Sequence, residues 1–382
     1  DIALEVTHAS SDGILFGNSN GSGTLAAART ISIGGGGFLA DFLTIRNFTQ
    51  VGATAQTLHP AGPTTYMTLY DCNWGGNVDF SAAQMLTRGT TYSGTASLEK
   101  TGATDNNSIG GNTFVGDAIL TNSGSAQFMM GNGSPDTFAG DLDINNSGTD
   151  HFFLARESIG NTVAGNFTVT NSGTGTSNVY LAERSASDLE ITGVATIINS
   201  ATGISSIIYV GDEGDITFGN DLTLTNSSSA ATGQIILADG ANSSAAITGN
   251  VIATNSGAGG VKRIYLGNAG PATIGGDVSL SNSNTATTGE VYIGNGVASI
   301  VSITGNTILT NDGAGTTRRA YLGNNGDISF GGTLSITNNS TATNSEVYCN
   351  RTANSINTYA GDITLVSTSS DCDGVYFGND GT

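Results

Sequence analysis

The chain of 382 residues has four prolines, three cysteines, three histidines, one tryptophan and eleven Lys and Arg residues. Each shortage removes a class of protein. Eleven cations against 31 Asp and Glu leave a formal net charge of −20, so phosphate backbones find little to grip and nucleic acid is not an expected partner. Cys72, Cys349 and Cys372 are too few for a disulfide framework, and no CxxC pair suggests zinc. No run approaches the roughly 18 apolar residues of a membrane helix, so the chain is not expected to span a membrane. It begins at Asp1 with neither Met nor a signal-peptide pattern, which leads us to expect a removed leader or a piece of something longer. Only Pro60, Pro63, Pro135 and Pro271 interrupt it, and no segment shows a helical period.

What is abundant is glycine, with 56 residues, beside Ser, Thr and Asn. The apolar fraction of 37% alternates with period two, which indicates a folded β chain and not disorder. An apolar residue one or two before a recurring glycine marks a repeat. These anchors are Phe114, Phe138, Val163, Ile191, Phe218, Ile247, Ile274, Ile303, Phe330 and Tyr359, with looser copies at Leu39, near Tyr66 and at Tyr92. After irregular early steps the spacing alternates between 27 and 29 residues. Each unit holds three short alternating patterns, as in Leu222 and Leu224 after Phe218, or Ile264 and Leu266 before a Gly-Asn. Three strands in about 28 residues predict an all-β chain, a parallel β-helix of about thirteen coils. Residues 1–18 read as the end of a preceding coil, 19–110 as irregular coils with insertions, and 111–382 as regular coils.

Eight residues after the anchor stand Asn122, Asn146, Asn171, Asn199, Asn226, Asn255, Asn282, Asn311 and Asn338, with Asn47 in the same place after Leu39. An even offset points these side chains inward, where their amides can bond from coil to coil and satisfy corner backbone groups. Sixteen residues after the anchor, on the outward phase, Arg263, Glu290, Arg319 and Glu346 alternate in sign, a charge ladder that would fix register and define a duplicated unit of two coils. Two positions further, Tyr209, Tyr265, Tyr292, Tyr321, Tyr348 and Tyr376 form a column, which reads either as strand-stabilising stacking or as a contact strip for sugar rings or another chain. Cys349 lies on strand three and Cys372 near the same column one coil later, making them the candidate disulfide of an extracellular chain.

Catalytic chemistry finds no foothold. Glycoside cleavage needs two carboxylates facing one groove, but Asp117, Asp141, Asp215, Asp277, Asp327 and Asp362 recur in "GD" corners, and His8, His59 and His151 belong to different coils. We therefore do not expect an enzyme, nor a catalytic, cofactor or metal site. The acidic turn "GDEGD", 211–215, is the place considered for an adventitious calcium, although the nonapeptide of calcium-binding rolls is absent. "GGGG" at 34–37 lacks the Gly-Lys-Ser/Thr of a phosphate loop. Outward Thr pairs on strand two (Thr168 with Thr170, Thr223 with Thr225) would suit ice, but Ile252 and Ile308 break the array. Asn-x-Ser/Thr acceptors such as Asn20 and Asn166 are frequent, as this composition alone would make them.

The phrases "FVGDAILTNSG" (114–124), "FAGDLDINNSG" (138–148), "VAGNFTVTNSG" (163–173) and "RIYLGN" (263–268) resemble the repeats of giant secreted surface proteins of Bacteroidetes-type bacteria, the gliding-motility adhesins and filamentous appendage proteins exported by the type IX system. The likeness covers about 110–379, and the C-terminal sorting domain of that pathway is not found here. It implies an extracellular, cell-surface adhesive or structural module, whose partners would be neighbouring modules, other copies in a bundled fibre, and surface glycans. The alternative is a carbohydrate-binding or carbohydrate-active β-helix, which a groove of convergent, non-repeated Asp, Arg or aromatic residues would favour. Residues 1–18 align without gaps with 362–379, with nine of eighteen identical. That match predicts one module of a tandem array.

Overall fold

The computed structural model describes the chain apart from Ser19, Pro63, Asn107, Asn354, 369–371 and 379–382, and gives only the backbone for 9–11, 372 and 373. It is a parallel β-solenoid of about thirteen coils, with no helix among the described residues. The first face is a sheet of fourteen strands and the second a sheet of thirteen. The third face is divided between a sheet of four strands in the early coils and a sheet of ten in the later ones. Every paired strand within these sheets runs parallel to its neighbour one coil away, as in Ile191 against Phe218 against Ile247.

Alternation decides which side chains fill the axis. Leu222, Leu224 and Asn226 point in while Thr223 and Thr225 point out, and the same inward-outward pattern recurs on every second-face strand from Ala96–Lys100 to Leu334–Asn338. The anchors form one buried column: Trp74, Tyr92, Phe114, Phe138, Val163, Ile191, Phe218, Ile247, Ile274, Ile303 and Phe330. Tyr92, Phe114 and Phe138 stack face to face at 4.6–4.7 Å. Burying one such aromatic side chain contributes about 2–3 kcal/mol.

The glycine after the anchor is held by close approach. A Cβ on Gly276 would lie 2.6 Å from the carbonyl oxygen of Gly249, and one on Gly305 would lie 2.5 Å from that of Gly276. Successive corners are stacked backbone on backbone, which leaves no room for a side chain.

Two expected anchors fall elsewhere. Leu39 lies within the long strand Ile31–Arg46 and is exposed, and Tyr66 starts a third-face strand. The early anchor column instead runs through Gln50 to Trp74. The reason is that Ile2–Phe16 and Ile31–Arg46 are strands of 15 and 16 residues, with register shifts between them, so the three-strand rhythm is lost there.

The alternation of 27 and 29 residues arises at one corner. From the end of strand three to the next anchor, Leu237 to Ile247 and Ile293 to Ile303 span ten residues, while Leu266 to Ile274 and Leu322 to Phe330 span eight. The longer corners contain a turn closed by a buried serine. The N–H groups of Ser243, Ser299 and Ser355 donate to the carbonyls of Gly240, Gly296 and Thr352 at 2.9–3.2 Å. Ser187 does the same to Arg184, so the turn recurs every 56 residues.

Candidate functional site

Nine of the asparagines expected to form a ladder stand in register on the second face and are fully buried. Asn122 Nδ2 donates to Asn146 Oδ1 at 3.2 Å, and Asn146 to Asn171 at 3.1 Å. A second run links Asn226, Asn255, Asn282, Asn311 and Asn338 at 2.8–3.0 Å. Between the runs, Ser206 Oγ accepts from Asn171 and donates to Asn199, while Asn199 Nδ2 turns to the carbonyls of Ser206 and Gln234. From Asn199 on each amide also reaches strand three, as in Asn255 to the Lys262 carbonyl and Asn282 to that of Gly289. Asn122, Asn146 and Asn171 reach carbonyls of the segment just before it. The ladder thus ties two faces of a coil and two successive coils together.

Asn47 is not a rung. It follows the third-face strand Ile31–Arg46 in a left-handed conformation, φ 49°, and its amide donates to the Asn18 carbonyl. The eight-residue offset that points to Asn47 starts from Leu39, which is no anchor. Upstream of Asn122 the ladder column holds Lys100 and then Ala82.

Sequence reasoning missed two buried cations beside the ladder. Lys262 and Arg318 enter strand three on its inward phase and are fully buried. Lys262 Nζ donates to the carbonyls of Ala230 and Val261. Arg318 donates to those of Asn284, Ala286, Ala314 and Thr317. Their strand-three neighbours Gly233 and Gly289 have no side chain. Two residues after each ladder Asn the pattern inverts, with Ser228, Gly257, Asn284, Gly313 and Ser340. A Cβ on Gly313 would lie 2.5 Å from Arg318 Nε, and one on Gly289 would lie 2.1 Å from Asn284 Nδ2. A large residue at one interior position therefore requires a small one at the other. This exchange of volume, with the serine turn, makes the duplicated unit two coils long.

The outward columns of strand three are also internally occupied. Arg263 Nε lies 2.7 Å from Glu290 Oε2 and Arg319 Nε 2.5 Å from Glu346 Oε2, but among the described residues no ion pair joins Glu290 to Arg319. The expected continuous ladder is a set of separate pairs, because each guanidinium leans toward one neighbouring coil. Glu290 and Glu346 are buried, not exposed.

The tyrosines stack from Tyr265 through Tyr292, Tyr321 and Tyr348 to Tyr376 at 4.6–5.3 Å. A shorter stack joins Phe153, Tyr180 and Tyr209. Tyr321 is 2% exposed and Tyr292 8%, so the centre of this column is not an open strip. Arg351 covers Tyr321 and Tyr348. A further ladder flanks the rings: Asn295 donates to Asn268 at 2.7 Å, Asn324 to Asn295 at 2.8 Å, and Arg351 to Asn324 at 3.0 Å.

The "GD" corners have a role in register. Asp117 Oδ1 accepts the N–H of Asp141, Asp141 that of Asn166, Asp221 that of Asn250, and Asp277 that of Asn306. Asn250 and Asn306 act alike on Asp277 and Thr333. One carboxylate or amide per coil is thereby engaged with the next. His59 lies 3.2 Å from Asp79, while His151 packs edge-on against Phe153 and Tyr180. Among the described residues no group of three His, Cys, Asp or Glu could hold a metal ion, and the acidic turn 211–215 offers none.

The candidate disulfide is out of register. Cys349 pairs with Phe377, and Cys372 pairs with Ser345, four residues earlier. The offset is roughly 13 Å along the strand, beyond the Cα separation a disulfide spans. Cys349 and Cys72 are buried free thiols, and burial pushes both up to about 12. In a Cys372→Ser chain we expect no thiol to react with an aromatic disulfide reagent in native buffer, and two to react in denaturant.

One constellation does not repeat along the solenoid. Arg46, Tyr70 and Arg88 stand in register on the third face of three early coils. The Arg46 guanidinium lies 4.8 Å from the centre of the Tyr70 ring, and Asn47 and Asp71 border the same shallow groove. Neither arginine has an ion-pair partner among the described residues. Comparison of the chain with protein-family models, with curated proteins and with solved structures finds no match.

Two kinds of buried charge predict the pH dependence of stability. Burial, helped by Asp239 and Glu183, raises Asp212 from 3.8 to about 7, and burial raises Asp136 to about 6. The stability these carboxyls contribute is complete below their unfolded value and is lost as pH rises through 6 to 7. Burial lowers Lys100 and Lys262 from 10.5 to about 8, so their cost is relieved as pH rises from 8 toward 10.5. Thermal melts at pH 5, 7.5 and 9 should give the lowest midpoint at 7.5. Asp212→Asn should flatten the acid side, since an amide does not titrate and relieves the repulsion between Asp212 and Asp239.

Proposed function

We propose that the chain is a structural and adhesive repeat module of a long extracellular surface fibre. The observation that carries this reading is the use of the side chains. The Asn ladder, the corner carboxylates, the Arg–Glu pairs and the stacked rings each link one coil to the next, which stiffens the regular coils into a rod. The resemblance of residues 110–379 to secreted surface repeats supports the location, and the match of 1–18 to 362–379 supports repetition. Immunogold labelling of intact producing cells should decorate surface filaments, and deleting the gene should reduce attachment. Label confined to the cell interior would overturn the proposal.

The groove of Arg46, Tyr70 and Arg88 favours a second reading, in which the early coils bind an acidic glycan. One guanidinium over the Tyr70 ring and a second arginine lining the same groove suit carboxylate or sulfate groups on a sugar. Binding to a panel of uronic-acid and sulfated oligosaccharides that is lost in Arg88→Ala would establish it, and a silent panel would exclude it.

A further inference from the structure

The second face carries an outward column whose size alternates coil by coil. It reads Thr223, Ile252, Ser279, Ile308, Ser335 and Thr364, each in register with the next. Ile252 and Ile308 are each 51% exposed, with the small Ser279 between them and Ser335 beyond. The parallel outward column holds Thr225, Thr254, Ser281, Thr310 and Thr337. None of these eleven positions is charged, on a chain whose net charge is −20.

From this alternation we propose that the second face of one chain docks against the same face of a second copy, with the two solenoid axes antiparallel. Place a two-fold axis along the strand direction, midway between Ser279 and Ile308. Ile308 then meets Ser279 of the second copy, and Ile252 meets its Ser335. The reciprocal contacts follow by symmetry, so both isoleucines of each copy enter serine notches of the other. Thr310 faces Ser281 and Thr337 faces Thr254, which pairs hydroxyl with hydroxyl. At the corner, Asp277 faces Asn306 and Asn250 faces Thr333 of the second copy, while at each end of the six coils Asp221 faces Asp362, a like-charge pair that keeps the contact weak.

The alternation selects this partner. A surface that complements it needs large and small residues with the same two-coil period, displaced by one coil, and the chain's own face supplies both. An uncharged face is also where two copies of net charge −20 repel each other least. Six coils at about 4.8 Å by five residues at about 3.3 Å give roughly 500 Å² of flat face per copy. That lies toward the lower bound for a specific interface and implies a weak, concentration-dependent dimer. The inference does not require the chain to belong to a fibre. A failure of surface labelling would leave it intact, and a monomer in solution would leave the surface reading intact.

Sedimentation equilibrium of the chain over rising concentration should show a monomer–dimer equilibrium. Ile308→Lys places a cation on an exposed site, so the fold is retained, as circular dichroism should verify, while dimerisation weakens by roughly tenfold or more. Orientation is read by cross-linking in a Cys372→Ser background. Ser279→Cys and Ile308→Cys chains should form an intermolecular disulfide when mixed, and neither should do so alone. A monomer at every concentration, a dimer indifferent to Ile308→Lys, or cross-linking of Ser279→Cys chains by themselves would each overturn the proposal.

Discussion

Replacing Arg318 by alanine is expected to cost about 3–5 kcal/mol, the sum of a cavity and of orphaned carbonyls. The guanidinium donates to the carbonyls of Asn284, Ala286, Ala314 and Thr317 at a corner closed to water. Gly313 and Gly289 pass so close to this region that the backbone has little freedom to collapse into the space left. Arg318→Lys should recover most of the loss, because Lys262 occupies the equivalent place two coils earlier. Solenoid stability is local and need not unfold in one step. The measurement is therefore hydrogen exchange, with protection falling across 284–322 and holding across 118–146. Unchanged protection in the alanine variant would remove the corner cation from the account.

Asn282→Leu is expected to cost about 2–4 kcal/mol, from buried polar groups left without partners at about 1–3 kcal/mol each. The Asn255 amide loses its acceptor, while the Asn311 Oδ1 and the Gly289 carbonyl lose their donor. Thr285→Leu alters an exposed turn position three residues later and should change stability by no more than about 0.5 kcal/mol. The comparison holds composition and location nearly constant and varies only membership of the ladder. Equal denaturant midpoints for the two variants would contradict it.

The regular coils were legible because their side chains carry two signals at once. Alternation placed Leu222, Leu224 and Asn226 on one face, and a fixed eight-residue offset from Phe218 placed the asparagine at a corner. Both signals fail in the early coils, where Ile31–Arg46 runs as one strand across register shifts, and Asn47 was misplaced as a result. The buried cations were hidden for a different reason. Lys262 and Arg318 look like surface residues of a β-strand, and only the glycines opposite them, Gly257 and Gly313, record the space they fill. That complementarity of large and small residues is written in the sequence with a 56-residue period, but it is read across a corner and not along a strand. The tyrosine column was correctly ordered by spacing, yet spacing is silent on its covering by Arg351. The cysteines shared a nearby column in the linear reading, and a four-residue displacement in pairing separated them. The groove of Arg46, Tyr70 and Arg88 had no repeat to announce it.

The central claim is that every coil advances the chain by one strand spacing with side chains in register. Thr121, Thr225 and Thr337 stand in one outward column, four and eight coils apart. Spin labels at Thr121→Cys with Thr225→Cys, and at Thr121→Cys with Thr337→Cys, in a Cys372→Ser background, measure the advance directly by pulsed dipolar spectroscopy. Two narrow distributions near 19 Å and 38 Å, about 4.8 Å per coil, are the predicted result. Similar distances for the two pairs, or broad distributions without the twofold ratio, would contradict a stacked, in-register solenoid.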